Sequence, residues 1–212
     1  PFFAATYLPK RSRLGRTGLI ELCERVKTLW DQDPHKIAAT AAGVTGTLGK
    51  AFEFAPAAAP GLRLLDRAYD DIAFSFDGRH GGFEPAPKFP TPHRLLFLLR
   101  CHDRTAEPRA LEMVERTLTA MRLGGIWDHV GFGLHRYSTD SRWLLPHFEK
   151  MLYDQALTAL ACLEASQVAP APQLAQTAGE IFTYVLRDMT SPEGAFFSAE
   201  DADSEGVEGI IK

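Results

Sequence analysis

A chain of 212 residues suits one large or two small domains, and an apolar content of 45% with 24% charged residues is that of an ordinary globular protein. The formal net charge of −4 and a pI near 6.0 exclude the basic face that non-specific nucleic-acid or anionic-membrane binding requires. No run approaches the roughly 20 apolar residues of a membrane span, so neither nucleic acid nor membrane is an expected partner.

Phe2 to Leu8 is an aromatic, β-branched run ended by Pro9, which predicts a strand. After a basic, Gly-bearing loop, Leu19, Leu22, Cys23, Val26, Leu29 and Trp30 recur at helical spacing, predicting an amphipathic helix over about 17–32. Pro34 opens a second, Ala-rich helix to about Phe52. A strand followed by helices fits the C-terminal piece of an α/β domain. Residues 54–61, Phe-Ala-Pro-Ala-Ala-Ala-Pro-Gly, read as a stiff linker, dividing the chain into 1–53 and 62–212.

Beyond the linker the pattern is helix and loop, and the second domain is expected to be all-α. One helix is marked by Leu62, Leu65, Tyr69, Ile72 and Phe76; the next opens at Pro92 and runs to about His102. Leu111, Val114, Leu118 and Met121 mark a third. A fourth is expected to open at Pro146, with Phe148, Leu152, Ala156, Leu160 and Leu163 facing inward. Leu174, Ala178, Ile181 and Val185 mark a fifth. Helices at 62–77, 109–123 and 173–190 each run into a glycine- and aromatic-bearing loop: Gly81-Gly-Phe83, Gly124-Gly-Ile-Trp127 and Gly194-Ala-Phe-Phe197. A helix–loop–helix unit used repeatedly predicts a toroid or solenoid whose equivalent loops emerge on one face.

The second loop is the richest. Between Gly124 and Asp154 lie Trp127, Asp128, His129, Arg136, Tyr137, Trp143, His147 and Lys150, a mixture that suits a small-ligand pocket. Trp127 and Trp143 are candidate stacking surfaces or loop plugs. His93 and His147 each follow a Pro at an expected helix start, where the positive end of the helix disfavours an imidazolium and favours a ring that accepts a proton. His147, Lys150 and Asp154 would share one helix face, lining a pocket or forming a solvated stripe. Lys88, in Pro87-Lys-Phe-Pro90, and Phe83 sit in the first loop facing the same side. Asp201, Asp203 and Glu205 form an acidic cluster after the third loop, read as carboxylates facing the pocket or an exposed turn; calcium is disfavoured because Lys212 stands where a bidentate Glu is needed. No HExxH, G-x-S-x-G or phosphate loop occurs, so no metal or other cofactor is expected. Cys23, Cys101 and Cys162 are far apart without a CxxC, and read as buried reduced thiols of a cytoplasmic protein.

Gly-Gly-Phe-x-x-x-Pro-Lys-Phe-Pro at 81–90, the 124–154 stretch and Ala199-Glu-Asp-Ala-Asp-Ser-Glu205 together resemble the spermatogenesis-associated protein 20-like, thioredoxin-domain-containing family. The opening Pro-Phe-Phe-Ala-Ala-Thr-Tyr-Leu-Pro resembles the last strand and turn of that family's thioredoxin-like domain. The resemblance implies a mainly α chain: a thioredoxin-like remnant, then the first part of an (α/α)6 six-hairpin barrel similar to those of N-acylglucosamine 2-epimerases. The thioredoxin Cys motif is absent from these residues. With no initiator Met and only about five of twelve barrel helices, the chain reads as an excerpt of a longer polypeptide whose remaining helices would close the barrel.

On that basis the expected partner is a sugar-like small molecule and the expected chemistry epimerisation or isomerisation. His147 would be acid or base, aided by His129 or His93, with Arg136 and Asp154 orienting substrate and Tyr137 in contact with it. Two alternatives stay open: a glycosidase pairing Asp128 with Asp201 or Glu205, and a non-catalytic or redox-linked binding scaffold.

Overall fold

A computed structural model describes residues 8–13, 15–54, 59, 61–169, 171–204 and 207–208. The chain divides into two compact units, Pro1–Ala59 and Pro60–Lys212.

The first unit carries two helices, α1 (Leu19–Gln32) and α2 (Pro34–Ala51). Asp33 ends one and starts the other: its carboxylate accepts a hydrogen bond from the Lys36 amide at 3.1 Å, and Pro34 supplies the preset first turn. Neither helix has a buried residue, and Leu19, Leu29 and Trp30 of the apolar face are exposed. Cys23 is exposed too, which corrects its expected burial. Two facing helices offer too few contacts to enclose a side chain. The strand expected at 2–8 falls on residues outside the described ones except for Leu8, which is not in a strand, and the linker is described only in part.

The second unit is a two-layered array of α3 (Arg63–Ser75), α4 (Pro92–Thr105), α5 (Pro108–Leu123), α6 (Leu152–Val168) and α7 (Pro172–Asp188). α4 packs against α6, while α3 and α5 pack on α4 and α7 packs on α6. Leu95, Leu98, Leu99 and Cys101 of α4 meet Ala110, Met113, Val114, Leu118 and Met121 of α5 at helical spacing, giving one apolar stripe per helix. α6 contributes small residues, Ala159, Ala161, Cys162 and Ala165, which let α7 bring Leu174, Ala178 and Ile181 close. Burial pushes the Cys162 thiol up to about 12, so it is a packing group without thiolate character.

Two expectations fail here. Pro146 does not start a helix: Pro146–His147 is a short strand, β2, paired antiparallel with β1 (Tyr137–Ser138), and α6 begins only at Leu152. Proline's fixed φ suits an extended chain as well as a first helical turn, and here tertiary pairing decides. The Arg136 amide donates to the Glu149 carbonyl at 2.7 Å, the Thr139 amide to Leu145 at 2.8 Å and the Leu152 amide to Ser198 at 3.0 Å, so the 145–151 backbone is engaged across loops. The inward face of α6 is accordingly Asp154, Gln155, Thr158, Ala159, Cys162 and Ala165, whereas Ala156 and Leu160 are exposed.

The unit is also not purely helical. Two more antiparallel pairs of two-residue strands occur, β3 (Lys150–Met151) with β4 (Ala199–Glu200) and β5 (Asp203–Ser204) with β6 (Val207–Glu208). Such short ladders leave no periodic signature in a sequence.

Candidate functional site at the loop rim

The loops after α3, α5 and α7 are hydrogen-bonded to one another in series. Lys88 of the first and Ser138 of the second exchange both backbone hydrogen bonds at 2.8 Å. The Trp143 indole N–H of the second donates to the His80 carbonyl of the first at 2.9 Å. The β3–β4 pair then joins the second loop to the third, with Lys150 opposite Glu200. The three loops therefore form one continuous rim, as the repeat pattern predicts.

Three buried knots hold the rim, and several of the residues expected to touch a ligand are spent in them. Lys88 is 0% exposed; its ammonium donates to the Asp77 carboxylate at 2.7 Å, the Gly81 carbonyl at 2.7 Å and the Ser141 carbonyl at 2.9 Å. It lies 5.2 Å from the centre of the Trp143 ring, a cation–π contact. All three ammonium protons are engaged, so Lys88 is a loop tie and not a ligand contact. Trp143 is fully buried although its φ of 64° is left-handed, a strain of about 1–3 kcal/mol that the packed indole and its hydrogen bond offset. Gly82 passes so close that a Cβ there would sit 2.7 Å from the Trp143 ring. Phe83 is likewise core, against Phe76.

The second knot is Lys150. Its ammonium donates to the Asp128 carboxylate at 2.7 Å and the Phe132 carbonyl at 3.0 Å, and lies 4.3 Å from the centre of the Tyr184 ring. Tyr184 in turn donates to Glu200 at 2.6 Å. Lys150 and Asp154 are therefore not a stripe with His147; with no helix at 146–151, the three belong to separate elements. Partial burial pushes the Asp128 carboxyl up, but the Lys150 ammonium and the Gly131 and Val130 amides outweigh it and hold it at about 2. The folded value lies below the unfolded one near 3.9, so this stabilisation is complete above about pH 4 and disappears as the pH falls through 2. Acid titration of the wild type should show a loss of about 1–2 kcal/mol over that interval that Asp128→Asn lacks; parallel curves for the two proteins would refute the assignment. The third knot is Gln155, which receives the Leu134 amide at 2.9 Å and donates to its carbonyl at 2.7 Å.

Trp127 is also buried, under the Arg122 guanidinium at 4.6 Å. Both tryptophans are plugs, and the aromatic rings nearer the surface are others. Phe89 and Tyr137 lie 4.9 Å apart, and Tyr137 stacks on His147 at 4.9 Å and 18°. The ladder register that sets Tyr137 opposite His147 produces this stack. Beside it, Arg136 pairs with Glu149 at 2.7 Å. His135 is 5% exposed, set edge-on to Phe148 at 5.2 Å, with Nδ1 unpartnered. Burial, with the Lys150 and His147 charges adding and Asp128 opposing, pushes its imidazole down to about 4, so it is neutral at pH 7. Asp154, third residue of α6, is 6% exposed, and Tyr153 before it is 51% exposed.

The candidate site is thus the β1–β2 pair with the head of α6: Arg136, Tyr137, His147 and Asp154 from the expected set, joined by His135, Glu149 and Tyr153, which sequence reasoning missed. Glu149 lies within the Pro-His-Phe-Glu-Lys run and its pairing with Arg136 had a readable signal, opposite charge in one dense loop; the burial of His135 had none. His93 is exposed in the first turn of α4. His129 is exposed and donates Nε2 to the Gly124 carbonyl at 3.0 Å. Asp201 and Asp203 are exposed, Asp201 accepting from the Asp203 amide at 3.2 Å, and Glu205 lies outside the described residues. Among the described residues no group of three or more His, Cys, Asp or Glu side chains could hold a metal ion, and no helix is long and apolar enough to cross a membrane.

Spermatogenesis-associated protein 20 of Homo sapiens is 39% identical over 99% of this chain, and that of Rattus norvegicus 38% over the same share. The chain is homologous to spermatogenesis-associated protein 20. It spans 28% of the length of these relatives, and of a Caenorhabditis elegans protein that is 32% identical. No protein-family model matches. Among solved structures, a cellobiose 2-epimerase of Bacillus thermoamylovorans aligns with 66% of this chain and 42% of its own, at a TM-score of 0.56 and 15% identity. The cellobiose 2-epimerase of Spirochaeta thermophila gives 0.55 over 65% and 39% at 18% identity, and a D-mannose isomerase 0.54 over 66% and 44% at 16% identity. These likenesses show the fold: a mainly helical chain with part of an (α/α)6 barrel, as the family resemblance implies.

Proposed function

We propose that this chain supplies one side of the pocket of a carbohydrate-acting enzyme with epimerase- or isomerase-like acid–base chemistry, His147 being the base. The observation that carries the reading is the His147 ring held by stacking on Tyr137 and flanked by the Arg136–Glu149 pair, at the loop rim of a barrel fold shared with sugar epimerases and isomerases. In such a step a ring nitrogen of His147 takes the proton from the carbon next to a sugar carbonyl. The C–H electrons form a carbon–carbon double bond, the carbonyl oxygen takes a proton, and an enediol results. Returning the proton to the other face gives the epimer; returning it to the neighbouring carbon gives the isomer. Exposed Tyr153 and half-exposed Tyr137 and Phe89 offer aromatic surface for an apolar sugar face, in place of the two buried tryptophans. A paired-carboxylate glycosidase is less well supported, because Asp128 is committed to Lys150 and two amides. We read residues 1–53 as the end of a thioredoxin-like domain, on the opening motif alone, and a small sugar-like molecule as the partner.

The full-length protein should be incubated with D-mannose, cellobiose and a panel of other mono- and disaccharides, with products read by NMR. Turnover of at least one sugar is expected, falling at least ~100-fold in His147→Ala with unchanged melting temperature. Absence of turnover and of any sugar-induced thermal shift, with His147→Ala indistinguishable from wild type, would favour the binding scaffold instead.

A further inference from the structure

The backbone at 137–138 lies between two other extended segments. Ser138 exchanges both backbone hydrogen bonds with Lys88 of the first loop at 2.8 Å, while β2 runs along the opposite edge and sets His147 beside Tyr137. Because the Lys88–Ser138 pair is antiparallel, Phe89 stands beside Tyr137 on the far side. Side chains alternate between the two faces of such a patch. Lys88, Ser138 and Pro146 share one face and are buried, whereas Phe89, Tyr137 and His147 form a row on the other. The row is stacked: Phe89 and Tyr137 lie 4.9 Å apart at 35°, Tyr137 and His147 4.9 Å apart at 18°. Both separations match the spacing of neighbouring strands, about 4.7–4.9 Å. The rings sit where the backbone pairing puts them, and Tyr137 is held on both faces.

We propose that Phe89 is a positioning residue for His147, acting through Tyr137, so that the first loop sets the orientation of the imidazole in the second.

Burial alone does not account for the row. Phe89 is 36% exposed, and Tyr137 and His147 are half-buried, so each ring keeps water on part of its surface. A tyrosine stacked on one side only is free to tilt away from the imidazole into solvent; a second ring on its far face removes that freedom. Phe89 is itself a fixed strut. Pro87 and Pro90 preset φ close to it on either side, and the buried Lys88 ammonium ties the residue before it to three acceptors. Two strand spacings, about 10 Å, separate Phe89 from the imidazole, so its influence passes through Tyr137.

A catalytic consequence rests on the function proposed above, but the bracing does not, and it is tested first without substrate. The full-length protein labelled with 13Cε1-histidine gives a His147 ring signal, assigned by its loss in His147→Gln. The stacked Tyr137 ring shields that position, and Tyr137→Leu should move the signal downfield. Phe89→Leu keeps apolar bulk without an aromatic face, and should produce about half of that displacement, with broadening. Phe89→Tyr restores the face and should return the signal to its wild-type position, both variants melting alike. A His147 signal unmoved in Phe89→Leu, or displaced equally in Phe89→Leu and Phe89→Tyr, overturns the proposal. Should Phe89→Leu fail to fold, nuclear Overhauser contacts in the wild type decide: Phe89 to Tyr137 and Tyr137 to His147 are expected, and the absence of either is equally fatal. With a sugar that turns over, Phe89→Leu should lower kcat about tenfold at nearly constant KM. A raised KM with unchanged kcat would make Phe89 a sugar contact only and refute its positioning role. A silent sugar assay with a displaced His147 signal would sink the enzyme reading and leave the brace standing.

Discussion

Lys88→Met is expected to destabilise the protein by about 3–5 kcal/mol, the range for removing one partner from a buried ion pair. The methionine fills the space of the lysine stem, so packing against Trp143 survives and the loss isolates the ammonium. What remains is the Asp77 carboxylate, now without its cation, and two carbonyls, Gly81 and Ser141, without a donor. Asp77 also accepts from the Arg79 and His80 amides, so its turn should persist while its carboxyl, held low by Lys88 against partial burial, drifts upward. Urea denaturation of wild type and variant gives the difference directly. Lys88→Met/Asp77→Asn should recover part of it, because the unpaired charge is gone while the amide oxygen still accepts from Arg79 and His80. A midpoint within experimental error of wild type would mean the ammonium is not the tie between the first two loops.

Gln155→Leu should cost about 2–4 kcal/mol for a different reason. The amide side chain is fully buried and acts as a surrogate strand, meeting both the N–H and the C=O of Leu134. Leucine satisfies neither, and no water-accessible route relieves two buried backbone groups. Repacking is restricted as well: Gly133, with φ of 82°, runs so near that even a Cβ would meet the Tyr184 ring at 2.8 Å and the Gln155 oxygen at 3.0 Å. The Leu134 amide should accordingly lose its protection from hydrogen exchange in the variant before global unfolding does so. Retained protection at Leu134 would show that some other acceptor can replace Gln155.

The helices are readable because their apolar positions repeat at intervals of three and four and because proline marks the openings of α2 and α4. The same proline signal misled at Pro146, where pairing with residues of another loop outweighs a local preference that proline shares between helix and extended chain. The glycine-aromatic loops were found and so was their common side. What could not be read was the division of labour within them. Lys88, Lys150, Asp128, Trp127 and Trp143 look like pocket chemistry in a list of residue types, yet the rim uses them to satisfy itself. A long loop without regular structure must hydrogen-bond its own buried backbone, and charged and indole side chains are its means. Conversely, the lowered His135 imidazole and the raised Asp154 carboxyl owe their shifts first to burial, which depends on neighbours distant in sequence.

The serial stitching of the loops also has a consequence in time. Lys88–Ser138 and Lys150–Glu200 each join the two ends of one helical hairpin, α4–α5 and α6–α7, so neither can form until the helices of that hairpin have docked. The hairpins assemble from local contacts; the rim closes afterwards and, on brief excursions from the native state, opens first. Loss of the His147 environment should therefore precede loss of helix on gentle heating, and the candidate site is the last part of the molecule to be made.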